Sequence, residues 1–178
     1  LFIFLFIGQL NAKDLSKIQD DDWVLGDENA PITMIEYASL SCPHCAAFHI
    51  DTLPKIKKEY IETGKVKLVF RAFPFNLPAL HASMIARCAG QELYYKYLNA
   101  LFSLQKSWVK ENFQEYLFKI VQNGGTTKEE FDLCLMDENL QNQILENQIR
   151  ANKEYNIKTT PSFIINGKLI EGNKSLDT

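Results

Sequence analysis

The stretch Ile32–Phe48, ITMIEYASLSCPHCAAF, decides how the rest of the chain is read. Its first seven residues, Ile32 to Ala38, are mostly branched and aromatic, which predicts a buried strand. Two cysteines follow at once, Cys42 and Cys45, with Pro43 and His44 between them. From Ala46 to Glu62 the apolar residues Phe48, Leu53, Ile56 and Tyr60 recur three to five apart, which predicts a helix. Pro54 is expected to kink it, having no N–H to give the carbonyl of Ile50. Gly64 offers a C-terminal stop. Cys42 therefore stands where a strand ends and a helix begins.

That placement has chemical consequences. The first N–H groups of a helix lack internal partners and point at such a sulfur. The helix dipole adds partial positive charge. A thiolate at Cys42 is thereby stabilised and its pKa falls. Pro43 suits a first helical turn, where its missing N–H costs nothing. His44 can bring another positive or donating group near the sulfur. Cys45, one turn further in, is expected to be more buried and suited to resolving a mixed disulfide. Stabilising the thiolate stabilises the reduced form, which makes the disulfide a stronger oxidant. Spacing alone leaves two other readings open. One is a structural bridge, geometrically tight across Cys-x-x-Cys. The other is a metal site, to which the pair gives two ligands of four and His49 a third. No second Cys-x-x-Cys and no His-x-His completes that set.

Outward from this stretch, Val66 to Arg71 alternates like a strand. From about Pro78 to Lys153 the pattern is helical, with breaks near Ser103 to Trp108, at Gln122 to Thr127 and near Asp137-Glu138, predicting four segments. Thr127 and Glu130 have the spacing of a capping box. Thr159-Thr160-Pro161 opens the apolar run Ser162 to Ile165, and Asn166-Gly167 leads to Lys168-Leu169-Ile170, the strongest short signal for a hairpin. The class is α/β. A parallel strand unit with a right-handed crossover comes first, then a helical insertion, then an antiparallel hairpin. The divisions read as 13–30 for a lead-in loop, 31–77 and 155–178 for the sheet domain, and 78–154 for the inserted helical domain.

The 178 residues suffice for one domain with a core. A net charge of −3 and a pI of about 5.7 argue against a nucleic-acid surface. Asp20-Asp21-Asp22 reads as a solvated linker face. Leu1 to Ile7 is a bare apolar run, shorter than the roughly 20 residues of a membrane span. It reads as the core of a secretory signal remnant covering 1–12, with a cut after Ala12. A short N-terminal membrane anchor is the other reading, and either places the folded part outside the cytoplasm. Gly172 to Thr178 reads as the approach to one more helix, so both ends are expected to be cut from a longer chain. Four cysteines, Cys42, Cys45, Cys88 and Cys134, permit two disulfides in an exported protein.

Three motifs carry a family resemblance: GDENAPITMIEYASLSCPHCAAFH at 26–49, ARCAG at 86–90 and TTPSFIINGKLIEG at 159–172. In this order and spacing they resemble the DsbA-type thiol:disulfide oxidoreductases of the thioredoxin superfamily, and the likeness runs from Trp23 onward. The resemblance implies a thioredoxin fold with a helical domain inserted between the parallel strand unit and the C-terminal hairpin. It makes Cys42 the attacking, exposed thiol and Cys45 the buried one. It makes Pro161 a cis-proline facing the pair, with Thr160 offering backbone hydrogen bonds to a bound peptide. Glu36, six residues before Cys42, matches the family's buried acid, which shuttles the proton of the inner thiol. A surface strand position is the plainer reading of Glu36.

In one branch of the family, a pair placed like Cys88 and Cys134 forms a second, non-catalytic disulfide. Closing 47 residues implies roughly 4 kcal/mol in the entropic account. Two buried free thiols are the alternative. Two departures stand out: Thr160 where the best-known oxidases have Val, and His49 where they have an acid. The implied activity is donation of disulfides to reduced, unfolded exported proteins in the periplasm, without a cofactor. A membrane-embedded, quinone-linked partner of the DsbB type would regenerate the enzyme, and the chain would act as a monomer. A disulfide reductase or isomerase competes with this reading. Isomerases of the superfamily dimerise through an added N-terminal domain, for which about ten residues between Ala12 and Trp23 leave no room. A non-enzymatic metal carrier using Cys42, Cys45 and a histidine is the competitor of another class. His81 is expected to be a capped or partly buried residue. Tyr94, Tyr95, Tyr97, Phe102 and Trp108 are expected to be helix core.

Overall fold

A computed structural model describes residues 17–174. The secretory-signal and anchor readings of 1–12, and the last residues of the expected further helix, Ser175 to Thr178, lie outside the described residues.

The buried strand expected around Glu36 is β2 (Ile32–Ala38), and it sits at the centre of a five-stranded sheet of order β1-β3-β2-β4-β5. It runs parallel to β3 (Val66–Ala72), with Ile32 opposite Val66 and Ala38 opposite Ala72. On its other side β4 (Ser162–Ile165) is antiparallel, with Glu36 opposite Phe163. The hairpin partner β5 (Lys168–Glu171) closes that edge. Its turn needs two left-handed residues, and Asn166 and Gly167 supply φ of 47° and 79°. The polar lead-in was expected to be loop throughout. Instead Val24–Leu25 forms a two-residue strand, β1, antiparallel to β3. Just beyond it the Tyr95 hydroxyl accepts from the Phe70 N–H at 3.2 Å and reaches the carbonyls of Trp23 and Leu68 at 2.7 and 2.9 Å. A side chain thus finishes the ladder where the strand stops.

The crossover between β2 and β3 is one helical run from Pro43 to Ile61. The α-helical pieces α1 (Pro43–Ala47) and α2 (Leu53–Ile56) alternate with wider π-type stretches, Phe48–Thr52 and Lys57–Ile61. Pro54 does not break this run. One residue before it, the Leu53 N–H reaches five residues back to the Phe48 carbonyl. The wider turn shifts the hydrogen-bond ladder around the residue that cannot donate.

Between β3 and β4 lie six helices, where four were expected: α3 (Leu77–Cys88), α4 (Gln91–Ser103), α5 (Gln105–Trp108), α6 (Phe113–Gln122), α7 (Lys128–Leu135) and α8 (Glu138–Tyr155). The additional break falls at Gly90, whose φ of 80° ends α3 and opens α4. α5 forms inside the break expected near Ser103 to Trp108. The capping box on α7 is present, with Thr127 and Glu130 bonded reciprocally.

Apolar side chains cover both faces of the sheet. Met34, Leu68 and Phe163 pack under Phe48, Ile56 and Ile61 of the crossover. On the opposite face Ile35, Val69 and Ile164 pack with Ala151 of α8 and Ile157. A third cluster joins the sheet to the insertion through Tyr94, Tyr97, Leu101, Phe102 and Trp108. The aromatics are core, as expected, with Tyr95 half-buried. Of the acidic triplet expected to be a solvated face, only Asp20 is exposed. The Asp22 carboxylate is buried against Arg71 of β3, and that guanidinium also donates to Tyr37 Oη at 2.7 Å. Asp21 accepts from Gln143 and Asn147 of α8. A buried arginine on a sheet demands a counter-charge, and Asp22, 49 residues earlier, supplies it.

Candidate active site

Cys42 caps α1, with an extended backbone (φ −81°, ψ 121°) and its carbonyl accepting from the Ala46 N–H at 3.1 Å. Its side chain is half-buried, whereas Cys45 is fully buried, and both are free thiols. The two sulfurs titrate far apart. A hydrogen bond from the Cys45 thiol does most to bring Cys42 down to about 5. The Thr160 contact and the backbone N–H groups of Cys45 and His44 add to this, against the opposing effect of burial. Burial pushes Cys45 far up, and its hydrogen bond to Cys42 and the Glu36 carboxylate push the same way. Pro43 and the His44 ring are exposed, so His44 acts on the sulfur through its backbone.

Strand β4 brings Thr160 and Pro161 to the sulfurs from 118 residues away. The Thr160–Pro161 bond is cis, and the Cys42 thiol donates to the Thr160 carbonyl at 3.5 Å. The Thr160 hydroxyl favours a thiolate at either sulfur, yet it is buried with no partner at hydrogen-bonding distance.

Glu36 is fully buried, so the surface reading of that position does not hold. Its two carboxylate oxygens lie 3.1 and 3.0 Å from His49 Nε2. His49 is itself buried, stacked on Phe102 with ring centroids 3.9 Å apart. The third ligand suggested for a metal is thus turned to a carboxylate. Among the described residues, no three of His, Cys, Asp and Glu gather into a ligand set.

Two supports of the site escaped sequence reasoning. Gln105 is buried, and its amide donates to the carbonyls of Leu40 and Cys42 at 2.8 and 3.0 Å, holding the turn between β2 and α1. Nothing local marks it, because it sits in an expected helix break. Asn76 caps α3 by accepting from the Ala79 N–H and also accepts from Ser41 Oγ at 3.1 Å. An Asn before Leu77-Pro78 was a legible cap signal. Elsewhere, Cys88 and Cys134 are joined by a disulfide with Cα atoms 6.1 Å apart. His81 is buried beside Phe113, held by the Gln114 amide at 3.1 Å, and burial lowers its pKa.

Residues 19–178 match the family model for thioredoxin. A putative protein-disulfide oxidoreductase of Rickettsia bellii (strain RML369-C) is 36% identical over 153 residues, 85% of this chain and 59% of its own length. The crystal structure of Wolbachia pipientis alpha-DsbA1 superposes with a TM-score of 0.82 at 34% identity, covering 90% of this chain and 87% of that one. This chain belongs to the DsbA-type thiol:disulfide oxidoreductases. BdbD of Bacillus subtilis, at 27% identity and a TM-score of 0.70, shares the fold over 84% of each chain. The expected DsbA-type architecture, a thioredoxin fold interrupted by helices, is the one observed. The chain spans about three-fifths of the length of the curated relatives it matches.

Proposed function

We propose that this chain is the redox part of an enzyme that introduces disulfides into reduced, unfolded exported proteins. A substrate thiolate attacks Cys42 Sγ of the Cys42–Cys45 disulfide, and Cys45 leaves as a thiolate that takes up a proton. A second substrate thiolate then attacks the substrate sulfur of the mixed disulfide. The substrate disulfide forms, and Cys42 departs as the stabilised thiolate. Pro43 and His44 shape the exposed side of the pair. Glu36 exchanges the proton of Cys45, while Thr160 and Pro161 receive the substrate backbone.

The observation that carries this reading is the split between the sulfurs. Cys42 titrates at about 5 while burial holds Cys45 far above the ordinary thiol range. A good leaving thiolate on the outside makes the enzyme disulfide an oxidant. Unfolded substrates are supported by three apolar side chains exposed beside the groups that hold the Cys42 turn. Leu104 adjoins Gln105, and Phe75 and Leu77 flank Asn76. Cys88–Cys134 serves as a structural disulfide in this reading. Within it the chain is exported to the periplasm, needs no cofactor, acts as a monomer and is re-oxidised by a DsbB-type membrane partner. The described residues contain no helix long and apolar enough to cross a membrane. The divisions at 31–77, 78–154 and 155–178 are proposed as the two domains.

The test is the reduction potential of Cys42–Cys45. The protein is equilibrated in graded glutathione buffers, quenched with acid and alkylated, and the Cys42 peptide is quantified by mass spectrometry. A value nearer the oxidising extreme of about −120 mV than thioredoxin's −270 mV or so is expected. A value at or below about −220 mV would overturn the oxidase reading in favour of a reductase. Absence of reversible exchange would favour the metal carrier.

A further inference from the structure

We propose that His49 is a positioning residue for the inner half of the thiol chemistry. It shares a proton with Glu36, so that the Glu36–His49 pair, rather than the carboxyl alone, takes the proton of Cys45 and returns it. This deepens the role proposed above for Glu36 and rests on it.

The geometry supports a unit of two. His49 Nε2 reaches both oxygens of Glu36, at 3.1 and 3.0 Å. Among the described residues, the carboxyl has no other hydrogen-bond partner. His49 lies four residues after Cys45 on the same helical run, and that spacing puts the two side chains on one face. The ring is fixed on three sides by aromatics: stacked on Phe102 of α4, and edge-on to Phe48 and to Phe70 of β3. Its freedom is confined to where its protons reside.

The surroundings leave the pair to balance its own charge. From α1 the facing titratable group is Cys45, on which the Glu36 charge acts. From α4 they are Tyr94 and Tyr95, phenols that burial holds neutral and that also feel Glu36. β3 presents Phe70, and β4 places Phe163 opposite Glu36. Asp22 and Arg87 act on Tyr94 but are held elsewhere, Asp22 by Arg71 and Arg87 over the Trp23 ring at 3.7 Å. Among the described residues, no lysine or arginine is bonded to the carboxylate. A lone carboxylate in such a place is costly. A pair that takes up one proton for its one carboxylate carries no net charge to bury.

The steps balance. When a substrate thiolate attacks Cys42, the Cys42–Cys45 bond breaks. Cys45 keeps the electron pair, and the Glu36–His49 unit gives it a proton. On re-oxidation by glutathione disulfide, Cys42 first forms a mixed disulfide and releases one glutathione thiolate. Cys45 then hands its proton to the unit, its sulfur attacks Cys42, and the second glutathione leaves as a thiolate with the electrons of the broken bond.

The experiment follows that second step by rapid acid quench of the reduced full chain mixed with glutathione disulfide. The Cys42–glutathione adduct is quantified by mass spectrometry between pH 6 and 8. Wild type is expected to resolve the adduct at a nearly pH-independent rate. His49→Gln keeps a donor to the carboxylate but carries no exchangeable charge. It is expected to slow resolution at pH 6 by about ten-fold or more, with a rate then rising about ten-fold per pH unit, the slope of a step left to hydroxide. Its Cys42 thiolate absorbance should titrate as in wild type. Glu36→Gln should slow the same step, and the double variant should be no slower than Glu36→Gln. If Glu36→Gln is slow and His49→Gln keeps the wild-type profile, the His49 proposal is overturned and the Glu36 role survives. If Glu36→Gln is also unaffected, the Glu36 role falls, and this inference with it. Nitrogen NMR of the wild-type imidazoles checks the idea without a variant. The His49 ring nitrogens should shift on reduction of Cys42–Cys45 while those of His81 stay put, and an unmoved His49 overturns the proposal.

Discussion

The pairs Cys42–Cys45 and Cys88–Cys134 hold their sulfurs at opposite ends of helices. Cys42 caps the N-terminus of α1, where free N–H groups and the positive dipole end favour a thiolate. Cys88 is the last residue of α3, and Cys134 is next to last in α7, where the dipole disfavours one. Exposure does not separate the two pairs, since Cys88 is exposed while Cys42 is only half-buried. What surrounds the sulfur does: the Cys45 thiol and the first N–H groups of α1 at Cys42, an opposing dipole end at Cys88 and Cys134. At both of these C-terminal ends the dipole opposes a thiolate, in keeping with the structural role proposed for that disulfide.

The largest way to break this contrast is substitution. Cys42→Ser is expected to abolish oxidation of a reduced peptide. Replacing Cys88 and Cys134 together with Ala should keep the exchange rate at the wild-type order of magnitude while lowering unfolding stability by about 2–4 kcal/mol in urea titrations. Equal losses of activity in both would refute the division of labour. Next comes reactivity toward iodoacetamide in the fully reduced protein at pH 6. Cys42 should be alkylated about ten-fold faster than Cys88, its much larger thiolate fraction being partly offset by lower intrinsic nucleophilicity.

The pH dependence of the two potentials sharpens the comparison further. Cys42 has a folded-state pKa of about 5, below the unfolded value near 8.5. Its thiolate therefore stabilises the reduced fold fully above pH of about 8.5 and loses that contribution as pH falls toward 5. Reduction of Cys42–Cys45 then takes up at most one proton from solvent between these values, and none where the Glu36–His49 unit supplies it, so its potential should fall by no more than about 30 mV per pH unit, steepening below pH 5. Cys88–Cys134 should show the steeper slope throughout. A common slope for both would remove the contrast between the two pairs. The smallest effect concerns the helix that carries Cys134. Thr127→Ala should cost about 1 kcal/mol of stability by deleting the cap of α7, without moving the Cys42 titration.

What was legible in the sequence was local. The strand β2, the Cys-x-x-Cys at a helix start, the Asn-Gly hairpin and the Thr127 capping box each follow from residues a few positions apart. What was missed depends on distant partners. Asp22 looks like a solvated acid until Arg71 is folded against it. Gln105 looks like a linker residue until it meets the carbonyls of Leu40 and Cys42. Glu36 was recognised as the buried acid, but its partner His49 was read for metal binding and as a departure from the family, since strand and helix pair only in three dimensions. The strand β1 has two residues, too few for any alternation to register.

The Tyr95 hydroxyl that finishes the β1–β3 ladder has a further meaning for solubility. An open sheet edge templates the pairing of any extended chain that meets it. Here one edge strand has two residues and is completed by a phenol that no incoming strand can displace without uncovering the Phe70 N–H. The other edge, β5, has four residues and carries Lys168 and Glu171. A protein whose proposed clients are unfolded polypeptides thus meets them beside Cys42 and Thr160, and presents only short, charged or capped sheet edges elsewhere among the described residues.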